Sequence, residues 1–196
     1  MKSFFPIFLA FAASSCYASM EELSYTVEEV YNSGEFERRN FATGQAFACT
    51  NASYYNGNPI RVFLALKKYI DGDNDKHMII PMTLPVFTVR HLDNGNVVED
   101  RTCLYLGKDY AQCAPTPNSP YIEIRHPGVQ IAFTRQIGGF MTASSAATEY
   151  TSLKALLIQN GLGNQLETKY YAFARYNAPG AQGPRRNEVW IFKASN

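Results

Sequence analysis

Hydrophobic residues along the chain repeat with two different periods, and the change from one period to the other predicts the elements. Residues 35–49 alternate between large apolar side chains and small or polar ones, which is typical of a strand. Residues 58–72 carry apolar positions at helical spacing, with Asn58 as the N-cap and Gly72 as the terminator. The pattern therefore predicts a strand followed by an amphipathic helix.

Two further strands are predicted after this helix. The segment 77–86 has a period of two, but its prolines, Pro81 and Pro85, cannot donate to a ladder, so we expect an edge strand or a bulged one. His77, at the start of this segment beside charged residues, is expected to be solvated. A hairpin signal at Asn94-Gly95 then leads into a strand over residues 97–106.

The same order of elements then repeats. A strand is predicted over residues 121–137, a helix over 143–160, and two strands over 168–176 and 187–194. Neither half could bury its apolar face alone. We therefore predict an α+β fold in which duplicated β-α-β-β units pack into one pseudo-symmetric barrel or open sheet with the helices against it.

The first eighteen residues have the pattern of a secretory signal peptide. Lys2 precedes an apolar run over residues 4–13, and small residues lead to a cleavage site after Ala18. The apolar run is too short to span a bilayer, and no later segment is apolar enough to do so. We expect residues 1–18 to be removed and residues 19–196 to form a single secreted, extracellular domain.

Charge and motif content exclude several classes of function. With 18 basic and 17 acidic residues, the chain has no electrostatic footprint for nucleic acid or an anionic membrane surface. No Gly-x-Ser-x-Gly elbow, metal-ligand spacing or phosphate-binding loop occurs. We therefore expect no catalysis and no nucleic-acid partner, while oligomeric state has no signal in the sequence.

Export makes disulfide formation and glycosylation relevant. Cys49, Cys103 and Cys113 remain after loss of the signal peptide, so one thiol must stay unpaired. The turn between Cys103 and Cys113 favours a local bridge between these two, and pairing of Cys49 with Cys103 across neighbouring strands is the main alternative. Asn51 begins an Asn-Ala-Ser glycosylation acceptor.

Four stretches, taken together, resemble a known family. "GEFERRNFATGQAFACT", "YIDGDNDKHMIIPMTLPV", "YIEIRHPGVQIAFTRQIGGF" and "RYNAPGAQGPRRNEVWIFK" are similar, in this order and spacing, to the signature stretches of the SOUL family of haem-binding proteins. The resemblance implies a distorted antiparallel β-barrel flanked by two helices. It also implies non-covalent, non-catalytic binding of haem or another tetrapyrrole in a hydrophobic cleft that is open to solvent.

The same resemblance implies a set of binding residues. Some members have a histidine, proposed as an iron ligand, where this chain has Asn40, so the resemblance implies a tetrapyrrole held without a histidine axial ligand. Apolar contacts and basic residues near the propionates would hold it instead. The matching positions lie on the first helix and in the loop before the last strand: Phe63, Leu66, Lys68, Arg185 and Arg186.

Other interpretations of these residues remain open. Phe63 and Leu66 are also suited to an ordinary core, and the two arginines to pairing with Glu188 or other acids. Glu188 itself matches a pocket carboxylate of bacterial domains with a similar fold, which would favour a carrier of another apolar or cationic small molecule or peptide. An enzyme that uses Glu188 with a tyrosine is a third hypothesis.

Overall fold

Nine antiparallel strands and two helices build the part of the chain that the computed structural model describes, residues 20–178 and 180–194. The predicted signal peptide, residues 1–18, lies outside it. The helices are α1 (Pro59–Ile70) and α2 (Ala143–Gln159). The strands are β1 (Tyr25–Tyr31), β2 (Phe36–Phe41), β3 (Phe47–Asn51), β4 (Val86–Asp93), β5 (Asn96–Tyr105), β6 (Ile122–Arg125), β7 (Gln130–Ile137), β8 (Tyr170–Arg175) and β9 (Asn187–Phe192).

Both predicted helices are confirmed, and local capping explains where they begin. The Asn58 side chain accepts hydrogen bonds from the backbone N–H groups of Ile60 and Arg61 at the start of α1. Thr142 and Ser145 form a reciprocal capping box at the start of α2. Within the described ranges, neither helix is both long and apolar enough to cross a membrane.

The strand order shows how the two halves of the chain combine. After β1, each half contains two strands, a helix and two strands, which is one strand more than the predicted β-α-β-β unit. The sheet order is β1-β2-β7-β9-β8-β4-β5-β3-β6, so the first strand of each half pairs with the second strand of the other. When each strand is replaced by its counterpart in the other half, the order of these eight strands reads in reverse, so the two halves occupy equivalent places in the sheet. The predicted α+β class and the duplication are therefore confirmed.

The sheet curls without closing into a barrel, because β1 and β6 remain as its two edges. Phe41 of β2 and Phe47 of β3 stand near opposite ends of the strand order, yet both belong to one buried cluster on the inner face. The helices cover the outer face. α2 packs on the side of β7, β8 and β9, whereas α1 packs on the side of β3 and β5.

Three predicted strands have different bounds in the structure. The strand over 35–49 is divided at residues 42–46, where Gly44 has φ +77°, and the strand over 121–137 is divided at 126–129, which contains a proline. The segment 77–85 is irregular, and regular pairing begins only at Val86. β1 was not predicted, because most of its side chains are exposed and carry no hydrophobic period.

The structure contradicts the predicted bridge between Cys103 and Cys113. Cys49 and Cys103 are directly opposed on β3 and β5, with Cα atoms 4.1 Å apart, and they form the disulfide instead. Cys113 is exposed, and its thiol donates to the Asp109 carbonyl at 3.2 Å. The cross-strand register brings the two sulfurs together, and the turn over residues 107–112 does not.

We expect loss of the Cys49–Cys103 bridge to destabilise the protein substantially. The bridge joins residues 54 positions apart, and a loop of this length corresponds to about 4 kcal/mol of unfolded-state entropy. Cys49→Ala/Cys103→Ala should therefore lower the free energy of unfolding, measured by urea denaturation, by a few kcal/mol, about 2–4 kcal/mol.

Cys113→Ala is the matched control and should change the free energy of unfolding by no more than about 0.5 kcal/mol. Peptide mapping without reductant should recover Cys49 joined to Cys103. A peptide that joins Cys103 to Cys113 would contradict the assignment.

Candidate functional site

A cavity of about 480 Å³ lies on the inner face of the curled sheet. Its floor is apolar and mostly buried, and residues at its edge are exposed. This volume falls in the range of about 300–1,000 Å³ that is usual for small-molecule sites. The large apolar residues of its floor and walls are Phe41, Phe47, Phe87, Val89, Trp190 and Phe192.

Strand alternation explains why these side chains meet. Phe87 and Val89 occupy alternate positions of β4, and Trp190 and Phe192 do so on β9, so all four project from the same face of the sheet. The aromatic rings contact one another edge-on or tilted. The centroid of the Trp190 ring lies 5.1 Å from that of Phe41 and 5.4 Å from that of Phe87. These packed rings give the cavity a broad, rigid apolar surface.

Two arginines line the edge of the cavity. Arg101 lies 2.6 Å from Glu99 and 3.1 Å from Glu123, and Arg125 lies 2.8 Å from Glu123. Each guanidinium carries five N–H donors, and these acids do not use them all. The Arg101 Nε atom is buried and has no hydrogen-bond partner among the described residues. The two arginine side chains as a whole remain partly exposed at this edge.

Two of the three histidines of the chain also line this cavity. His91 projects from β4, on the same face as Phe87 and Val89, and is half-buried. His126 is exposed and belongs to the segment 126–129 that separates β6 from β7. The third histidine, His77, is exposed, as expected, and does not line the cavity.

Glu188 forms a buried polar cluster on the same inner face. Its Oε2 atom accepts from Trp190 Nε1 at 2.8 Å, Arg39 Nη1 at 2.9 Å and the Tyr176 hydroxyl at 3.0 Å. Its Oε1 atom accepts from Arg186 Nη2 at 3.0 Å and Nε at 3.2 Å. The carboxylate is fully buried. Five donors therefore occupy it, and none of them comes from a ligand.

Burial and charge around Glu188 shift the pKa values of two of its neighbours. Burial and the adjacent Glu188 raise the pKa of Tyr176. Burial by itself lowers the pKa of Arg39, but the charge of Glu188 and the hydrogen bond to Glu37 outweigh it, so the pKa of Arg39 is raised. The cluster holds the indole of Trp190 in place at the cavity wall, which is a positioning role.

The residues predicted on the first helix lie on the other side of the sheet from the cavity. Leu66 is fully buried in the core between α1 and the sheet, Phe63 is half-buried, and Lys68 is exposed. Ala48 of β3 packs in this core, whereas the next residue, Cys49, lines the cavity. The sheet therefore separates these three predicted residues from the cavity.

Arg185 and Arg186 both contribute to the structure of the last hairpin. Arg185 donates to the carbonyls of Ala178 at 2.9 Å and Ala181 at 3.3 Å. Arg186 pairs with Glu22 at 2.9 Å as well as with Glu188, as the alternative interpretation of these arginines expected. Of the predicted site residues, the structure brings Arg186 and Glu188 into contact, and none of the six lines the cavity.

Two predicted asparagines also lie away from the cavity. Asn40 donates to Glu28 of β1 at 3.0 Å and does not line the cavity, unlike its neighbour Phe41. Asn51, the predicted glycosylation acceptor, ends β3, and its side-chain oxygen accepts from the Ser53 amide at 2.9 Å. Its glycosylation stays a prediction. No cluster of three or more potential metal ligands occurs in residues 20–178 and 180–194.

Four basic residues of the cavity were not predicted: His91, Arg101, Arg125 and His126. His91 and Arg101 continue the inward-facing positions of β4 and β5, so a correct strand over 86–93 would have indicated His91. Arg125 and His126 lie where a single long strand was predicted. Their approach to β4 depends on the pairing of β6 with β3, which has no local sequence signal.

We expect removal of the Glu188 charge to destabilise the fold, because Arg39 and Arg186 would lose their buried counterion. Glu188→Gln should lower the free energy of unfolding by about 3 kcal/mol in urea denaturation. Glu149→Gln is the matched control, since Glu149 lies 3.9 Å from Arg135 at the surface, and it should change that free energy by less than about 1 kcal/mol. Equal effects of the two substitutions would contradict this role.

Known proteins with similar sequences identify the family of this chain. Residues 20–192 match the family described as SOUL heme-binding protein. Bovine heme-binding protein 1 is 28% identical over 65% of this chain and 66% of its own length. Human heme-binding protein 2 is 27% identical over 82% of this chain and 78% of its own, and heme-binding protein 1 of Xenopus tropicalis is 26% identical over 81% and 83%. The chain therefore belongs to the SOUL family of heme-binding proteins.

Proposed function

We propose that this protein binds haem or a related tetrapyrrole, without catalysis, in the cavity on the inner face of the sheet. The observation that carries the proposal is the combination of an aromatic floor with Arg101 and Arg125 at the edge, in a chain of a haem-binding family. The relatives are named for haem binding, and this chain offers a place where the same ligand chemistry fits.

The residues of the cavity suit a tetrapyrrole for two physical reasons. A flat apolar macrocycle gains about 25 cal/mol for each Å² of apolar surface removed from water, and the rings of Phe41, Phe87 and Trp190 offer such a surface. Its two carboxylates require cationic partners, and the N–H groups of Arg101 and Arg125 that Glu99 and Glu123 leave unused would donate to them.

The chemistry of the lining favours binding over turnover. Both cysteines that line the cavity are joined in the disulfide, so neither provides a thiolate. Glu188 is enclosed by five donors from the protein itself, which removes the support for a carrier of cationic ligands and for an enzyme that uses this carboxylate. A non-catalytic binding role is the function that remains best supported.

An extracellular carrier or scavenger is the fuller form of the proposal. The signal-peptide pattern of residues 1–18 supports export. The Cys49–Cys103 bridge agrees with an oxidising compartment. A protein that holds one tetrapyrrole reversibly outside the cell would act as a carrier or a scavenger of it.

We expect hemin to quench the fluorescence of Trp190, the single tryptophan of the chain, and to saturate at one equivalent. Arg101→Gln/Arg125→Gln should weaken hemin binding by about tenfold or more, because charge-assisted hydrogen bonds to the carboxylates are lost. Wild-type protein should bind the dimethyl ester of haem about as weakly as the double variant binds haem.

Lys68→Gln is the control, because Lys68 lies on α1 on the other side of the sheet. It tests the alternative in which the predicted residues of α1, Phe63, Leu66 and Lys68, hold the ligand on that side of the sheet. If Lys68→Gln weakens binding and the arginine pair does not, the ligand is at α1 and the cavity assignment is wrong. Unsaturable quenching, equal to that of an unrelated secreted protein, would contradict tetrapyrrole binding altogether.

Secretion has its own test. Expression of the full chain in eukaryotic cells should release a protein into the medium that begins at Ser19, as read by N-terminal sequencing. A signal peptide requires its apolar run, so replacing Phe8 and Leu9 by charged residues should abolish the release. Retention of the unaltered full-length chain inside the cell would contradict the extracellular role.

A further inference from the structure

His91 occupies a position in the cavity that the proposed function does not yet use. Its ring is half-buried and lies against the ring of Tyr170, which also lines the cavity, with centroids 5.6 Å apart. Neither ring nitrogen of His91 has a hydrogen-bond partner among the described residues. A neutral imidazole nitrogen without a partner is a ligand that iron accepts readily.

The backbone around His91 fixes the direction of its side chain. β4 is paired on both sides, and His91 is opposed to Glu99 on β5 and to Tyr170 on β8. An irregularity in the register follows directly after His91. Such irregularities are common beside binding sites, where they direct a side chain. A metal-binding side chain on a strand that is paired on both sides is held more precisely than one on a loop.

Glu99 provides a second, independent observation. Its position directly opposite His91 puts the two Cβ atoms about 4.5–5.5 Å apart. The Oε1 atom of Glu99 is buried and accepts no hydrogen bond, although Arg101 Nη2 lies 2.6 Å away as an ion-pair partner without the alignment of a hydrogen bond. A histidine that binds a metal usually donates its other N–H to a carboxylate. Glu99 is a carboxylate on the neighbouring strand, at the position directly opposite His91.

We propose that His91 is an axial ligand for the iron of the tetrapyrrole in this cavity, and that Glu99 orients its imidazole. The inference rests on the proposed function and extends it, because it makes the cavity selective for iron tetrapyrroles over metal-free ones. It also replaces the expectation of a tetrapyrrole held without a histidine ligand. Asn40, at the position where some relatives have a histidine, does not line the cavity.

His126 is the matched control. It lines the same cavity, but it is exposed and lies outside the strands. It therefore lacks both the fixed direction and the opposed carboxylate of His91. A substitution of His126 removes a histidine from the same cavity without removing the proposed iron ligand.

The test compares ferric haem with metal-free protoporphyrin IX in the full mature protein. Wild-type protein with hemin should give the Soret band and the electron paramagnetic resonance spectrum of a histidine-ligated ferric haem. His91→Ala should lose these signatures and bind hemin roughly tenfold more weakly or worse, while its affinity for protoporphyrin IX should fall much less. Added imidazole should restore the histidine-type spectrum. His126→Ala should retain the histidine-type spectrum.

Glu99→Gln should retain the histidine-type spectrum with a shifted ferric/ferrous reduction potential, which a purely structural role would not produce. His91→Gln, which keeps a polar side chain, serves as a second variant if His91→Ala lowers the unfolding midpoint. The inference is overturned if both His91 variants keep the wild-type spectrum, or if His126→Ala abolishes it. If protoporphyrin IX binds and the iron spectra are independent of His91, the proposed function stands and this inference fails. If neither tetrapyrrole binds, both fail.

Discussion

β2 pairs with β7 as well as with β1, and β6 pairs with β3, so each half of the chain completes its sheet with a strand from the other half. This exchange makes the chain a single domain, because neither half contains all the partners of its own strands. It also bends the sheet. β2 and β3 belong to the same half but lie far apart in the strand order, and the short segment 42–46 must join them across the inner face. The curled sheet and its interior cavity follow from that connection.

The curled sheet has two faces with different roles. Helices α1 and α2 cover the outer face and bury large aliphatic side chains there. Neither α1 nor α2 covers the inner face, where aromatic residues from several strands contact one another and leave the cavity between them. This division explains why the predicted residues of α1 do not reach the cavity, although they belong to the same domain. Strand alternation sends neighbouring residues, such as Ala48 and Cys49, to opposite faces.

The carboxylate of Glu188 is buried beside the apolar floor of the cavity, and hydrogen bonds from its neighbours compensate its charge. Burying a carboxylate costs several kcal/mol unless its oxygens are fully hydrogen-bonded. Donors from four side chains, Arg39, Tyr176, Arg186 and Trp190, meet this requirement. The cluster thereby joins β2, β9 and the last hairpin, and it fixes the tryptophan at the cavity wall. The polar contacts of Glu188 thus fix the positions of the surrounding side chains, while the surface of the cavity remains apolar.

Local order was determined by the sequence alone. The cap at Asn58, the hairpin turn at Asn94-Gly95 and the helical period of α1 depend on neighbours within about four residues, so the sequence predicts them without coordinates. The four signature stretches carried the family and the α+β class. Only the tertiary structure decided which strands pair, which cysteines meet and which side chains line the cavity. Cys49 meets Cys103, and His91 faces Glu99, because cross-strand register brings together residues that lie far apart along the chain. Register is set by the packing of the whole sheet, and no local pattern encodes it.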